Sequence, residues 1–272
     1  MKLYEKEFLG KGVFWMNKRH DVFGKQINKI SRLYLDYQNN PFSDELVHDL
    51  RVSIRELRGL LNFIKKRMDK DHYNKLNQQL GAAARVFGPL RELDVLYAYC
   101  EDYAVNHPET SEAYYQLFNT FVKERRIEMN RTFSKGNSAT IQQAIEDAKE
   151  ILELDLFINK KDWKKYTLKR LKKKDKKLRY AFKTVDISDY EAVHEIRKSA
   201  KKVRYAATYF DETVSKDLNQ YRKDAKAIQS EFGEITDAYV NYDLLTAYAD
   251  KVKDENVRDL LIQIRDDIEC AE

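Results

Sequence analysis

Two short stretches of the chain space histidine and cationic residues as one face of a helix would. His48, Arg51, Arg55 and Arg58 form the first, and His194, Arg197, Lys201 and Arg204 the second. On a wheel turning about 100° per residue, the first four fall at about 0°, 300°, 340° and 280°. They make one compact strip beside an apolar stripe of Leu50, Ile54, Leu57, Leu61 and Ile64. The second four take the same angles beside Ile196, Ala200, Val203, Ala207 and Phe210. Stacked cations repel one another by roughly a few tenths of a kcal/mol per exposed pair. Arginine offers a planar fork of donors matched to phosphate oxygens, and lysine a movable point charge. A strip built twice at one angle therefore reads as a surface for a phosphate-rich anion.

The two histidines invite other chemistry. A neutral imidazole can donate to a phosphate oxygen or hold a structural hydrogen bond, and both roles stay open. His20-Asp21 and His48-Asp49 also resemble the pairs of helical metal phosphohydrolases. That alternative needs convergent carboxylates, whereas the arginines around His48 repel a cation and the second copy carries Glu195 beside its histidine. No catalytic residue, metal ligand or cofactor is assigned from the sequence. Walker and dinucleotide-type glycine loops are absent.

A third basic stretch lies between the strips. Residues 160–183 hold 13 basic and 2 acidic residues, although the whole chain nets only +5. Lys165, Lys169, Lys172 and Lys176 run as one stripe with Lys173 next to it, and Lys198 and Lys202 flank the second histidine strip. If the helix at 160–183 packs beside the one at 189–212, these cations line one groove. Such a groove focuses its field on a chain of phosphates, with affinity falling as salt rises. Nucleic acid is the strongest competitor, since any phosphate chain fits a basic groove. No helix-turn-helix spacing or zinc-finger pattern accompanies the cations, and Tyr205, Tyr209 and Phe210 read as packing.

The elements that must carry these strips are helices. The 272 residues include only 8 Gly and 3 Pro, too few for the turns of an all-β fold. Apolar positions recur at helical spacing over roughly 14–39, 43–68, 70–106, 109–134, 138–153, 160–183, 189–212, 215–252 and 255–270. Ser43-Asp44 offers caps for the second of these, and Lys135-Gly136-Asn137-Ser138 marks the clearest break. No run is apolar enough for a membrane span and the N-terminus is too charged for a signal-peptide core, so a cytoplasmic protein is expected. Cys100 and Cys270 cannot build a disulfide framework.

The chain repeats itself. Val47-His48-Asp49-Leu50-Arg51 stands against Val193-His194-Glu195-Ile196-Arg197 at an offset of 146, and Phe87-Gly88 against Phe232-Gly233 at 145. One domain over 1–272 is expected, built from a first helical half at 12–135 and a second at 138–270.

At these residues the chain resembles the CHAD family, the conserved histidine α-helical domain. The resemblance rests on His48-Asp49-Leu50-Arg51…Arg55-Glu56-Leu57-Arg58, on its second copy His194-Glu195-Ile196-Arg197…Lys201-Lys202-Val203-Arg204, and on Gly88-Pro89-Leu90-Arg91-Glu92-Leu93-Asp94-Val95. It implies an all-α fold of two antiparallel, four-helix-bundle-like halves about a pseudo-two-fold axis, with a basic groove or pore between them. It implies non-catalytic binding of inorganic polyphosphate, or of related polyanions, by His48, Arg51, Arg55, Arg58, His194, Arg197, Lys201 and Arg204. Association with polyphosphate granules or polyphosphate-metabolising enzymes is a further expectation. Two positions depart from the family pattern: Glu56 stands where a base is common, and Thr236 where Asn is frequent.

Overall fold

The computed structural model describes residues 2–108, 111–153, 162–214 and 217–268, and among them there is no strand. The first long helices are α1 (Lys2–Asn39), α2 (Asp44–Ile64), α3 (Lys70–Val86), α4 (Gly88–Asn106), α5 (Ser111–Thr132) and α6 (Lys135–Glu153). They are followed by α7 (Trp163–Thr184), α8 (Tyr190–Tyr209), a single turn α9 (Asp211–Val214), α10 (Asn219–Glu231), α11 (Gly233–Ala249) and α12 (Glu255–Asp266). The all-helical class expected from periodicity is what the chain adopts. The helix starts read at 109, 160 and 215, and the end read at 270, lie outside the described residues.

The starts of the two signature helices follow from side-chain caps. Ser43 accepts from the Leu46 amide at 3.2 Å and opens α2, with Asp44 and Glu45 in its positive first turn. Asp189 does the same for α8 by accepting from Ala192 at 3.0 Å. Their apolar stripes are fully committed to the interior: Leu50, Ile54, Leu57 and Leu61 on α2, and Val193, Ala200 and Val203 on α8, are each at most 2% exposed.

Two helices read as continuous are each broken once, at the repeated landmark. The stretch 70–106 divides at Phe87 (φ −89°, ψ 5°), and 215–252 divides at Phe232 (φ −90°, ψ 7°). Both phenylalanines are buried, and a glycine follows each. Apolar periodicity runs on through such a break, because one residue out of helical geometry hardly shifts the stripe. In the second half Thr236, standing where Asn is frequent, donates its hydroxyl to the carbonyls of Phe232 (2.7 Å) and Gly233 (3.1 Å), so the turn is held by a local bond.

The hydrophobic interior cuts across the duplication. One core joins Phe23 and Ile27 of α1, Leu57 of α2, Leu80 of α3 and Ile141 of α6 to Leu171 of α7, Val203 of α8 and Ala225 of α10. A second core joins Leu96 of α4, Phe121 of α5, Leu245 of α11 and Leu261 of α12 into a four-helix packing. Each core therefore draws on both copies of the repeat. Residues 135–138, read as the break between halves, instead open α6, and the chain turns just before them at Phe133 and Ser134; α6 packs against α1 and α3. Cys100 lies in the second core, where burial pushes its thiol up to about 12, and Cys270 lies outside the described residues.

Candidate functional site

The two histidine helices touch. A Cβ on Gly59 of α2 would sit 3.5 Å from the Tyr205 ring of α8, and the Tyr209 hydroxyl donates to Glu56 at 2.7 Å. The rings of Phe63 and Phe210 stack obliquely with centroids 5.4 Å apart. Glu56 also accepts from the Gln26 amide at 3.2 Å. The acid that departs from the family pattern is thus a clamp between α1, α2 and α8.

Contact between α2 and α8 makes electrostatic neighbours of cations 146 residues apart. Lys201 is pushed down from 10.5 to about 8, first by burial, then by Arg197 and by Arg55 of the other copy, with Arg204 adding to the same sense. On the first-half side, His48, Arg51, Arg55 and Arg91 converge. Burial and then Arg91 hold His48 below the usual histidine range, with Arg55 and Arg51 contributing. Burial and then Lys198 act likewise on His194. Both imidazoles are accordingly neutral at pH 7, able to donate one N–H each. His194 also lies against Tyr190, ring centroids 5.6 Å apart, and Tyr190 against Tyr239 at 4.3 Å.

Within each strip the arginines are not equivalent. Arg197 forms a two-point ion pair with Asp237 (2.8 and 3.1 Å), and Arg51 reaches the carbonyls of Phe87 and Gly88 through long contacts of 3.4 Å. Both thus dock the signature helix onto the same broken junction, one in each half. Arg58 turns away onto α3, donating to Asn77 at 3.2 Å above Gly81, whose missing Cβ leaves the guanidinium its space. Burial and then Arg85 lower its proton affinity. Arg55 and Lys201, by contrast, have no ion-pair partner among the described residues.

The second strip continues where the first stops. Arg204 lies over the Tyr205 ring at 5.1 Å and lines a cavity of about 500 Å³ with Arg222, Lys223 and Lys226 of α10. At the repeat offset, Gly81 corresponds to Lys226 and Asn77 to Arg222. The first half closes this position and the second opens it with cations. On α4, Asp94 is buried against Arg125 at 2.6 Å.

The remaining sequence-selected cations are placed as follows. Helix α7 does pack beside α8, but Lys165, Lys169, Lys172, Lys173 and Lys176 are exposed on its outer side. Lys198 is exposed and paired with Glu195 at 2.8 Å. Lys202 lines a different cavity, with Lys174 and Lys177 of α7. Arg179 is tied to Asp175 at 2.9 Å and to Asp224 of α10. Charge periodicity showed that α7 carries cations all round, but packing chose which of them face a neighbour.

Among the described residues no group of three or more His, Cys, Asp or Glu could hold a metal ion, and no helix is long and apolar enough to cross a membrane. The geometry is that of a helical scaffold that clusters cations at the α2–α8 contact, some ion-paired, as Arg197 is with Asp237, and some, such as Arg55 and Lys201, without an ion-pair partner among the described residues.

The comparisons agree with this class of protein. The family model of the CHAD domain matches residues 30–246, so the chain belongs to the CHAD family. Its structure is similar to that of the CHAD domain from the plant Ricinus communis, with a TM-score of 0.70 and 17% identity over 92% of this chain and 84% of that one. It is also similar to PptA from Streptomyces chartreusis, with a TM-score of 0.64 and 12% identity over 93% of each chain. At these identities the likeness shows the fold. A search of curated proteins gave no match.

The Lys201 environment carries a stability consequence. Its charged form is penalised in the folded protein, so the cost is complete below pH 8 and fades as pH rises toward 10.5. Lys201→Met is expected to stabilise the fold at pH 7 by on the order of 1 kcal/mol after allowance for solvent screening. Denaturant unfolding at pH 7 checks this, and a midpoint that falls would contradict the proposed repulsion.

Proposed function

We propose that this protein binds inorganic polyphosphate, without turning it over, along the row of cations at the α2–α8 contact. The observation that carries the reading is the nearness of Arg55 to Lys201, two cations from opposite copies, neither of them in an ion pair among the described residues. His48, Arg51, Arg91 and Arg55 approach from one side, and Arg197, Lys201 and Arg204 from the other. The row runs on to Arg222, Lys223 and Lys226. A polymer of phosphates neutralises such a row one charge after another, and counterion release rewards length. Arginines bind oxygens through their forks, lysines follow the polymer, and the neutral histidines donate single hydrogen bonds. Arg51 and Arg197 hold the helical junctions as well as adding charge. The exposed lysines Lys165, Lys169, Lys172, Lys173 and Lys176, with Lys198, widen the positive field around the row.

Competition separates this reading from nucleic-acid binding. Labelled long-chain polyphosphate is expected to be displaced by unlabelled polyphosphate at much lower phosphate concentration than by RNA or single-stranded DNA. Equal displacement would overturn the preference. Release of orthophosphate from the bound polymer, with or without added divalent metal, would overturn the non-catalytic role.

The pH dependence follows from Lys201. In the free protein its charge is lost as pH rises through about 8, whereas a bound polyanion holds the proton on. Affinity is therefore expected to fall between pH 7 and 9, with proton uptake on binding near pH 8. Lys201→Arg, which keeps its charge, should flatten that fall. Titration calorimetry in buffers of different ionisation enthalpy reads the proton directly, and no uptake at pH 8 would remove Lys201 from the site.

A further inference from the structure

A second group of cations faces away from this row. Glu195, Ser199 and Lys202 lie about half a turn of the α8 wheel from Arg197, Lys201 and Arg204. On α7, Lys174, Lys177 and Ala181 likewise lie opposite the exposed stripe of Lys165, Lys169, Lys172 and Lys176. These two faces, together with Asn62 at the end of α2, line a half-open cleft of about 320 Å³.

Its lining is mostly cationic where it is charged. Lys174, Lys177 and Lys202 line it and have no ion-pair partner among the described residues. Lys174 is held below the ordinary lysine range, first by burial and then by Arg170, Lys202, Lys65 and Lys177, so five cations from α2's end, α7 and α8 share this space. Arg170 is anchored there by the Asn62 carbonyl at 3.3 Å and lies over Phe63 at 5.6 Å. The one acid in the lining, Glu195, is ion-paired with Lys198 at 2.8 Å and offsets only part of the charge of Lys202. Half-burying a lysine among four other cations raises the free energy of the empty protein, and an anion removes that cost.

The other walls are apolar. Leu178, Ala181, Ile196 and Val203 form a floor that a bare phosphate polymer does not use. A small ligand with an apolar body and several phosphates satisfies both halves of the lining, and the volume lies at the lower end of ordinary metabolite pockets. The Ser199 hydroxyl, at the boundary between floor and lysines, is placed to donate to it.

We infer that the cavity between α7, α8 and the end of α2 binds a small organic polyphosphate of the nucleoside triphosphate class, at a site separate from the polymer row. The phosphates would meet Lys174, Lys177 and Lys202, and the body would lie on Leu178, Ala181, Ile196 and Val203. Because the cavity joins the helix carrying the second strip to α2, occupancy would also brace the contact on which that row depends.

The test uses metal-free ATP and inorganic triphosphate as probes, in the full chain carrying Arg55→Glu and Lys201→Glu so that the polymer row is silenced. Calorimetry is expected to show one saturable ATP site, with inorganic triphosphate binding about tenfold more weakly for want of a body. Adding Lys174→Met and Lys202→Met should weaken ATP at least about tenfold. Thermal stability should not fall, since Lys174→Met removes a repelled charge, so lost binding is not lost folding. Three results would overturn the site: no saturation by millimolar ATP, equal affinity for the two probes, or indifference to the two methionine substitutions. None of these bears on polyphosphate retention by the unmodified row, which is read separately.

Discussion

Reversing both Arg55 and Lys201 to glutamate is expected to abolish retention of long-chain polyphosphate at moderate salt, lowering affinity by two orders of magnitude or more. These two residues are the right pair because neither is tied to the fold by an ion pair among the described residues, and because they come from opposite copies of the repeat. Lys201 sits where Arg197, Arg55 and Arg204 already oppose its charge. In the double variant Arg197 and Arg204 attract the new carboxylate at 201 while the one at 55 and Asp237 oppose it, so helicity and the thermal midpoint are read alongside binding to show that lost retention is not lost folding. Losing two cations should also flatten the dependence of log affinity on log salt by about 1.4, by analogy with single-stranded nucleic acid. Reversing Arg51 and Arg197 is a poorer experiment. Arg197 would lose Asp237 and Arg51 would lose the Phe87 and Gly88 carbonyls, so weakened binding could not be told from a loosened junction. Filter retention or calorimetry over a salt series checks the prediction. Unchanged retention in Arg55→Glu/Lys201→Glu would remove the α2–α8 contact as the binding surface.

The second large effect concerns stability alone. Asp94 and Arg125 pair at 2.6 Å with side-chain exposures of 1% and 17%. Burial raises the Asp94 carboxyl, and the Arg125 hydrogen bond and charge offset part of that rise. Asp94→Ala would leave the guanidinium buried without its partner, at a cost of about 3–5 kcal/mol. For a chain of this size that lowers the thermal midpoint by roughly 10 °C. The pair joins α4 to α5 one turn from Arg91, whose charge also acts on the Asp94 carboxyl, and since neither partner is itself a cation of the row, polyphosphate affinity at low temperature should change only slightly. Replacing both partners with apolar residues of similar volume should recover most of the loss, as buried pairs exchanged whole often do. A double variant as unstable as Asp94→Ala would show that the pair supplies more than mutual neutralisation.

The contrast between these sites shows what could be read from one dimension. Helical class, the duplicated signature and the cationic face of α2 and α8 are all periodic features, and periodicity is recorded in local order. The caps Ser43 and Asp189 work within three residues, and the first of them was plain in the chain. The breaks at Phe87 and Phe232 were visible as a repeated landmark, yet not as breaks, since a single non-helical residue leaves the apolar stripe nearly in phase. Arg91 lay in view inside the second signature, but its nearness to His48 depends on how α4 returns past α2.

Alpha helix, repeat and charge were thus written in residue order, because each arises from neighbours within a turn or two. The partition into cores was not. Both cores take helices from both copies, and α6 joins α1 and α3 rather than the helices that follow it. Nor could the chain alone say that Lys174 and Lys177, not Lys165 or Lys169, would face Lys202. The stripe of Leu168, Leu171, Leu178 and Phe182 marks the buried face of α7 in the sequence itself, but cations flank that stripe on both sides, and which flank meets α8 depends on neighbours distant in sequence. Docking onto distant partners thereby decides which cations become a site.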